Sequence, residues 1–326
     1  MRAFGYSPAT DPGTAVRLAS QPDTTYIAGG TDLLNLMRDG SENHHHLVDI
    51  NRLELADVTA DDDGVHIGGL ARMRQVAEDP RVLQRFAVVS QSLLASASPQ
   101  VRNMASIGGN LLQRTRCGYF RDAGSACNKR VPGSGCPAIE GENRIHAILG
   151  TSDHCIATHP SDLAVALTAL DATVHVLGPS GARRIPIADF YLPPGDTPQV
   201  ENALRYGELI TGVDLPSRLQ DPLSRYLKLR DRATFEFAVV SVAAVLRVRG
   251  GRVQDVRLAF GGVGTKPWRS AEVEATLRGH RLTLERVSEA GRVLVRDAVP
   301  REGNEFKVEL VQRALAGVLS ELGGIR

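Results

Sequence analysis

Four cysteines, Cys117, Cys127, Cys136 and Cys155, fall within one 39-residue stretch counted from 117 to 155 inclusive, and the rest of the 326-residue chain has none. Their spacing is C-x9-C-x8-C-x18-C. Cysteines buried at random would be scattered, so the grouping points to thiolate ligands. Structural zinc sites usually draw on close cysteine pairs two to four residues apart, and no such pair occurs here. Iron–sulfur clusters also take four thiolates but accept varied spacing. Gly118, Gly133, Gly135 and Gly141 free the local backbone to donate to sulfur, and Arg116, Arg121, Lys129 and Arg130 offset the negative charge of a thiolate-ligated cluster. From residue chemistry alone a cluster, a zinc ion, and free or disulfide-bonded thiols all stay open, although a chain this long needs no disulfide staples.

Two glycine pairs form a second candidate set. Ala28-Gly29-Gly30-Thr31-Asp32 follows an apolar strand and opens a helix. Backbone N–H groups in such a turn, together with a helix start, suit a pyrophosphate. The same residues also make an ordinary strand–helix turn with a good cap, and they do not spell the G-x-G-x-x-G dinucleotide fingerprint. Ser106, Gly109 and Asn110 belong to a second such turn, Ser106-Ile107-Gly108-Gly109-Asn110. Two such turns in one domain can clasp the two ends of an extended cofactor. Further on, Thr158-His159-Pro160-Ser161-Asp162 precedes an apolar helix. Ser161 or Asp162 either caps that helix or, for Asp162, accepts hydrogen bonds from ligand hydroxyls. Lys228 and Arg230 alternate on one strand face, solvated or touching an anion. His44-His45-His46 reads as a surface loop, since no cysteine or carboxylate cluster stands beside it. No H-E-x-x-H or Ser–His–Asp signature accompanies them.

Short elements position these groups. Helices are expected over Asp11 to Ala19, Asp32 to Arg38, Met73 to Glu78, Arg81 to Ala97 and Leu163 to Leu170. Strands are expected over Thr25 to Ala28, Leu47 to Ile50, Gly64 to Ile67 and Thr173 to Leu177. The first hundred residues thus read as βα alternation. From Gln113 to Thr158 periodicity disappears, which inside a compact domain calls for a hold other than a core. Ile185 to Gly195 reads as irregular. In the last third, Ser224 to Leu229, Ala238 to Val248 and Val253 to Phe260 read as strands or a strand–helix mix. Gly250-Gly251 forms a hairpin signal, and Ala271 to Leu277, Thr283 to Val293 and Glu305 to Leu322 are helical. Two domains follow, residues 1–219 with a 113–158 insertion and residues 220–326, the second starting around Gln220-Asp221-Pro222.

The composition is that of an ordinary globular protein, 42% hydrophobic and 23% charged. Lys plus Arg number 38 against 37 for Asp plus Glu, which offers no global attraction to nucleic acid. Met1 to Ser20 has no apolar run and carries Asp11, so no secretory signal is expected there. No stretch approaches the roughly 20 apolar residues needed to span a bilayer. Synthesis in the cytoplasm is the expectation, with no membrane insertion.

Taken together, A-G-G-T-D-L at 28–33, S-I-G-G-N-L at 106–111 and H-P-S-D-L-A-V-A-L at 159–167 resemble the flavin-binding medium subunits of the xanthine dehydrogenase and aldehyde oxidase family. The resemblance runs the length of the chain. The inserted R-T-R-C-G-Y-F-R-D, C-N-K-R-V-P-G-S-G-C and D-H-C-I-A-T-H-P-S-D look like the flavin subunits of bacterial periplasmic aldehyde oxidoreductases, a branch with an added cluster. The resemblance implies an α+β fold: a two-subdomain FAD-binding domain of the vanillyl-alcohol-oxidase (PCMH) type, then a smaller α+β domain of the CO dehydrogenase flavoprotein type. It implies FAD held by Ala28, Gly29, Gly30, Thr31, Asp32, Ser106, Gly109 and Asn110, with Asp162 on the ribityl side and Lys228 near the flavin ring. It implies a [4Fe-4S] cluster on Cys117, Cys127, Cys136 and Cys155, either a relay or, the reading favoured by their spread through an irregular segment, a structural staple. The implied partners are a molybdenum-cofactor large subunit, a [2Fe-2S] small subunit and an external electron acceptor. The implied location is the cytoplasm, or the periplasm by co-export with a signal-bearing partner. A stand-alone FAD-dependent alcohol or aldehyde oxidase and a zinc-stabilised, non-redox binding module are the alternatives. Substrate and acceptor are not legible in the sequence.

Overall fold

Strand β1 (Gly5–Pro8), helix α1 (Pro12–Ala19), β2 (Thr24–Ile27), α2 (Leu33–Asp39) and β3 (His46–Asp49) open the chain in a computed structural model that describes residues 1–217 and 223–325. Asp11 caps α1 by accepting from the Thr14 N–H, with Pro12 at the first helical position, a cap that stabilises by about 1 kcal/mol. The three strands form a parallel sheet in the order β1-β3-β2. Its apolar side packs Val48 and Ile50 on Ala15, Val16 and Ala19 of α1.

The βα alternation stops there, earlier than expected. β4 (Val58–Ala60) and β5 (Gly64–Gly68) join a different, antiparallel sheet. A helical run follows: α3 (Met73–Glu78), α4 (Pro80–Arg85), α5 (Ala87–Ala95), α6 (Pro99–Met104) and α7 (Ile107–Leu111). The single helix expected over Arg81 to Ala97 is two, because Phe86 leaves the helical region at φ −139°, ψ 52° and turns its ring into the core. The irregular stretch expected next holds only α8 (Gly118–Arg121) and a 3-10 turn at Pro137–Ile139. α9 (Asp162–Ala169), β6 (Thr173–Gly178), β7 (Gly181–Pro186), α10 (Ile187–Phe190) and β8 (Leu209–Pro216) complete the unit, its five-stranded sheet ordered β4-β5-β8-β6-β7. β7 and α10 replace the irregular segment expected around Ile185. β7 is an edge strand carrying Arg183 and Arg184 and closed by Pro186, so it lacks the apolar alternation that marks a strand. β8 escapes for a similar reason: Gly212 and Asp214 interrupt its apolar pattern.

β9 (Leu223–Leu229), β10 (Val240–Arg249) and β11 (Arg252–Gly261) form an antiparallel sheet, and α11 (Ala271–Leu277), α12 (Leu284–Val295) and α13 (Phe306–Gly323) pack beside it. Gly250 and Gly251 have φ of +58° and +72°, the paired left-handed geometry of a tight hairpin. Along β10, Val240, Val242, Ala244 and Leu246 face these helices, while Ala243 and Val245 join the core of the preceding unit. Both faces of this sheet are therefore buried, one against its own helices and one against α5 and α9. The boundary expected at Gln220-Asp221-Pro222 lies outside the described residues. No helix among the described residues is long and apolar enough to cross a membrane.

Candidate functional site

A cleft of about 950 Å³ runs between the first lobe, the helical run and β9. Ala28, Gly29, Gly30, Thr31, Asp32, Ser106, Gly109, Asn110, Asp162 and Lys228 all line it. Ten residues spread over two hundred positions are thus brought to one place, but their local chemistry differs.

The turn between β2 and α2 forms one wall. Gly30 sits in the left-handed region at φ +68°, where a side chain is strained. Gly29 has no room for a Cβ, which would lie 2.0 Å from the Met104 carbonyl oxygen. None of the N–H groups of Gly29, Gly30, Thr31 and Asp32 has a protein acceptor among the described residues. Half-buried as they are, these amides are open to water or to an anion such as a pyrophosphate entering the cleft. These residues fit FAD. Asp32 does not face the ligand as a free acceptor. It pairs with Arg116 and Arg121 at 3.0 Å each and accepts from the Arg114 N–H at 2.8 Å.

The second wall is already satisfied. The amide of Ile107 donates to the Ala71 carbonyl, that of Gly108 to Gly69, and that of Gly109 to the Ser106 hydroxyl that caps α7. Asn110 accepts from the Ser161 hydroxyl at 2.6 Å and donates to the Met73 sulfur. Ser161, not Asp162, caps α9. Asp162 accepts from Ser96 at 2.8 Å, Tyr226 at 2.6 Å and Lys228 at 2.7 Å. Both members of the Asp162–Lys228 pair are almost fully buried, at 5% and 3% exposure. The Lys228 ammonium also donates to the Ala95 carbonyl, leaving one of its three N–H groups for the cleft among the described contacts. Burial, then the Asp162 charge, pushes the Tyr226 hydroxyl well above its ordinary pKa, so it stays a donor.

The sequence reading passed over Tyr226 and Ser96. The signal for Tyr226 was its place two residues before Lys228 on one strand face. Arg116 and Arg121, expected beside the cysteine group, line the large cleft instead. Burial lowers the Arg116 pKa to about 10, with Asp32 holding it up. Its guanidinium lies 4.6 Å from the Phe237 ring at the cleft rim. Lys129 pairs with Glu201, and Arg130 donates to the carbonyls of Tyr119 and Phe120. Only Lys129 of the four lines the cysteine lobe.

Cys117, Cys127, Cys136 and Cys155 surround one small lobe with Tyr119, Phe120, Asn128 and His146. All four are free of disulfides. The Ala157 N–H donates to Cys155 Sγ at 3.5 Å, and His146 Nε2 lies 3.1 Å from Cys117 Sγ. Burial pushes the Cys117 thiol up to about 11 and raises Cys136 and Cys155, so without a ligand these are inert thiols rather than nucleophiles. No three of the sulfurs lie mutually within 4.8 Å.

His44 contacts Glu42 and His46 contacts Ser7, His46 lying in β3 rather than in a loop. They form no metal-ligating group.

The fold is that of a flavin-binding subunit: an FAD-binding domain followed by a smaller sheet-and-helix domain. Residues 2–218 match the FAD binding domain in molybdopterin dehydrogenase, and residues 225–322 the CO dehydrogenase flavoprotein C-terminal domain. The aldehyde oxidoreductase FAD-binding subunit PaoB of Escherichia coli (strain K12) is 47% identical over 325 residues, 98% of each chain. The carbon monoxide dehydrogenase medium chain of Hydrogenophaga pseudoflava is 26% identical, over 92% of this chain and 88% of that one. In structure, carbon monoxide dehydrogenase from Hydrogenophaga pseudoflava superposes with a TM-score of 0.78 at 24% identity, over 99% of this chain and 98% of that one. The chain belongs to the FAD-binding medium subunits of the xanthine dehydrogenase and aldehyde oxidoreductase family, and is an oxidoreductase subunit.

Proposed function

We propose that this chain is the flavin-bearing electron-transfer subunit of a molybdenum hydroxylase of the aldehyde oxidoreductase type, and that its cysteine lobe holds a [4Fe-4S] cluster. The flavin reading is carried by the four unpartnered amides of Gly29 to Asp32 at the mouth of a cleft large enough for a dinucleotide. FAD held there by the amides of Gly29 to Asp32 would supply the redox chemistry that links a [2Fe-2S] small subunit, and behind it a molybdenum-bearing large subunit, to an external acceptor. The chain's own residues hold the anion with backbone N–H groups, fix Asp162 through Ser96, Tyr226 and Lys228, and offer one Lys228 proton to the cleft. No general acid or base is required of them. The complex works in the cytoplasm, or in the periplasm when a signal-bearing partner carries it there.

The cluster reading is supported by four free thiols gathered around one lobe and by the Ala157 N–H directed at Cys155. The lobe acts as a staple, since little regular structure otherwise holds residues 113–158. Quantifying flavin, iron, sulfide and zinc on anaerobically purified protein tests both halves. The expected result is one FAD and about four irons per chain. One zinc without iron overturns the cluster, and absence of flavin overturns the flavin reading. Cys127→Ser is expected to lose cluster absorbance and open the lobe to protease while flavin reduction by the partners persists. Oxidation of an alcohol or aldehyde by the isolated chain would instead make it a stand-alone oxidase.

A further inference from the structure

On β5, β6 and β8, Val65, Ile67, Val174, Val176, Val213 and Leu215 point into the core. Strand alternation therefore turns His66, His175 and Asp214 to the opposite, solvent side of the sheet. In the sheet register His66 lies directly across from Asp214, and His175 lies across from Gly212, two residues along the same strand. The three side chains meet. His66 Nδ1 is 2.7 Å from one Asp214 oxygen and His175 Nε2 is 2.5 Å from the other. The rings stand edge to face with centroids 5.5 Å apart, and one donor atom from each residue falls within 4.8 Å of the others.

Two features mark this as a built arrangement. A Cβ on Gly212 would lie 2.4 Å from His66 Cε1, so the imidazole has its place over β8 only because that residue is glycine. Asp214 also has no arginine or lysine partner among the described residues; its ion-pair partners are the two histidines. Arg184, across from His175 on β7, is exposed and makes no pair with it. The side chains of His66, Asp214 and His175 keep 42%, 39% and 19% of their exposure, so an ion can enter from solvent.

We propose that His66, His175 and Asp214 bind one first-row divalent transition cation of the zinc type, with solvent completing its shell. Two imidazoles and a carboxylate are the donor set such ions favour over magnesium or calcium. In the ion-free state each ring donates an N–H to the carboxylate. On binding, the ring protons sit on His66 Nε2 and His175 Nδ1, and the freed lone pairs face the ion, so no net proton need be lost. The donors must part by a few tenths of an ångström to surround an ion at roughly 2.0–2.1 Å. The ion would tie together three strands distant in sequence, two of which lead into residues lining the flavin cleft, Gly69 after β5 and Leu209 and Ile210 in β8.

The test titrates the flavin-loaded full chain, with its cysteine lobe as purified, with Zn²⁺ and with Co²⁺, counting bound metal after gel filtration. One equivalent is expected, weakened about tenfold or more by His66→Ala and by Asp214→Asn, with flavin content unchanged. Asp214→Asn keeps the side chain's shape, and the ring facing the new amide N–H can accept through its other tautomer, which guards against misfolding as the cause. Bound Co²⁺ is expected to show weak visible bands of nitrogen and oxygen ligation. An equivalent that survives both substitutions, thiolate charge-transfer bands, or no binding at submillimolar free metal would each overturn the site. Flavin content is read in the same samples, so failure of the flavin reading is separately visible.

Discussion

The two glycine turns that face each other across the cleft, Gly29-Gly30 and Gly108-Gly109, are built from similar residues and do opposite work. At the first, successive N–H groups have no protein acceptor and the backbone is pressed against Met104. At the second, each amide is taken by Ala71, Gly69 or Ser106 before any ligand arrives. A glycine pair after a polar residue therefore does not say whether it serves a ligand or the fold. The partner of each amide decides, and that is a tertiary fact. The first wall is open to a charge, while the second, extended through Ser161, Asp162 and Lys228, is a surface already tied together by the protein's own hydrogen bonds.

If that division is right, damage to the second wall appears in the apoprotein and damage to the first appears chiefly in flavin binding. Lys228→Met should have the largest effect. It strands the buried Asp162 carboxylate, at a cost of about 3–5 kcal/mol, and should lower the apoprotein melting temperature as well as the holoprotein's. Equal apoprotein stability would break the comparison. Gly29→Ala should act the other way: the turn must move off the Met104 carbonyl to admit the Cβ, and the displaced amides of Gly29 to Asp32 then meet the anion poorly, expected as roughly a tenfold to hundredfold rise in the FAD dissociation constant by fluorescence titration.

Acid offers a third probe. Burial, opposed by Glu201, brings His159 down to about 4, and its ring packs 4.3 Å from Tyr191. Since the unfolded chain takes up that proton near pH 6.5 and the folded chain only near 4, stability is full above pH 6.5 and falls as pH drops toward 4. The ring is half-buried, which limits the loss to about 1–2 kcal/mol. Denaturant unfolding at both pH values, with His159→Gln flattening the difference, checks it. The smallest effect is expected from Ser106→Ala, which removes the α7 cap for about 1 kcal/mol, and it should leave flavin affinity within a few-fold.

The turns, caps and grouped cysteines were legible because each is local: Asp11 beside Pro12, Gly29-Gly30 after an apolar strand, four thiols in one segment. What stayed hidden was pairing across the chain. Arg116 and Arg121 sit beside Cys117, yet the carboxylate they answer is Asp32. The adjacent His44, His45 and His46 look like a ligand set and are not one, whereas His66, His175 and Asp214 converge only when three strands come into register. β7 lacked a signal because an edge strand need not alternate, and β8 because Gly212 and Asp214 break the apolar rhythm that burial would otherwise impose.

The sheet of β9, β10 and β11 is a party wall with both sides occupied. Pulling its two neighbours apart would bare Tyr226, Ala243, Val245 and Ala259 on one side of the split and the apolar faces of α5 and α9 on the other. Among the described residues the two units share one core across this seam. A protein that docks across it therefore meets both units held in one packed arrangement.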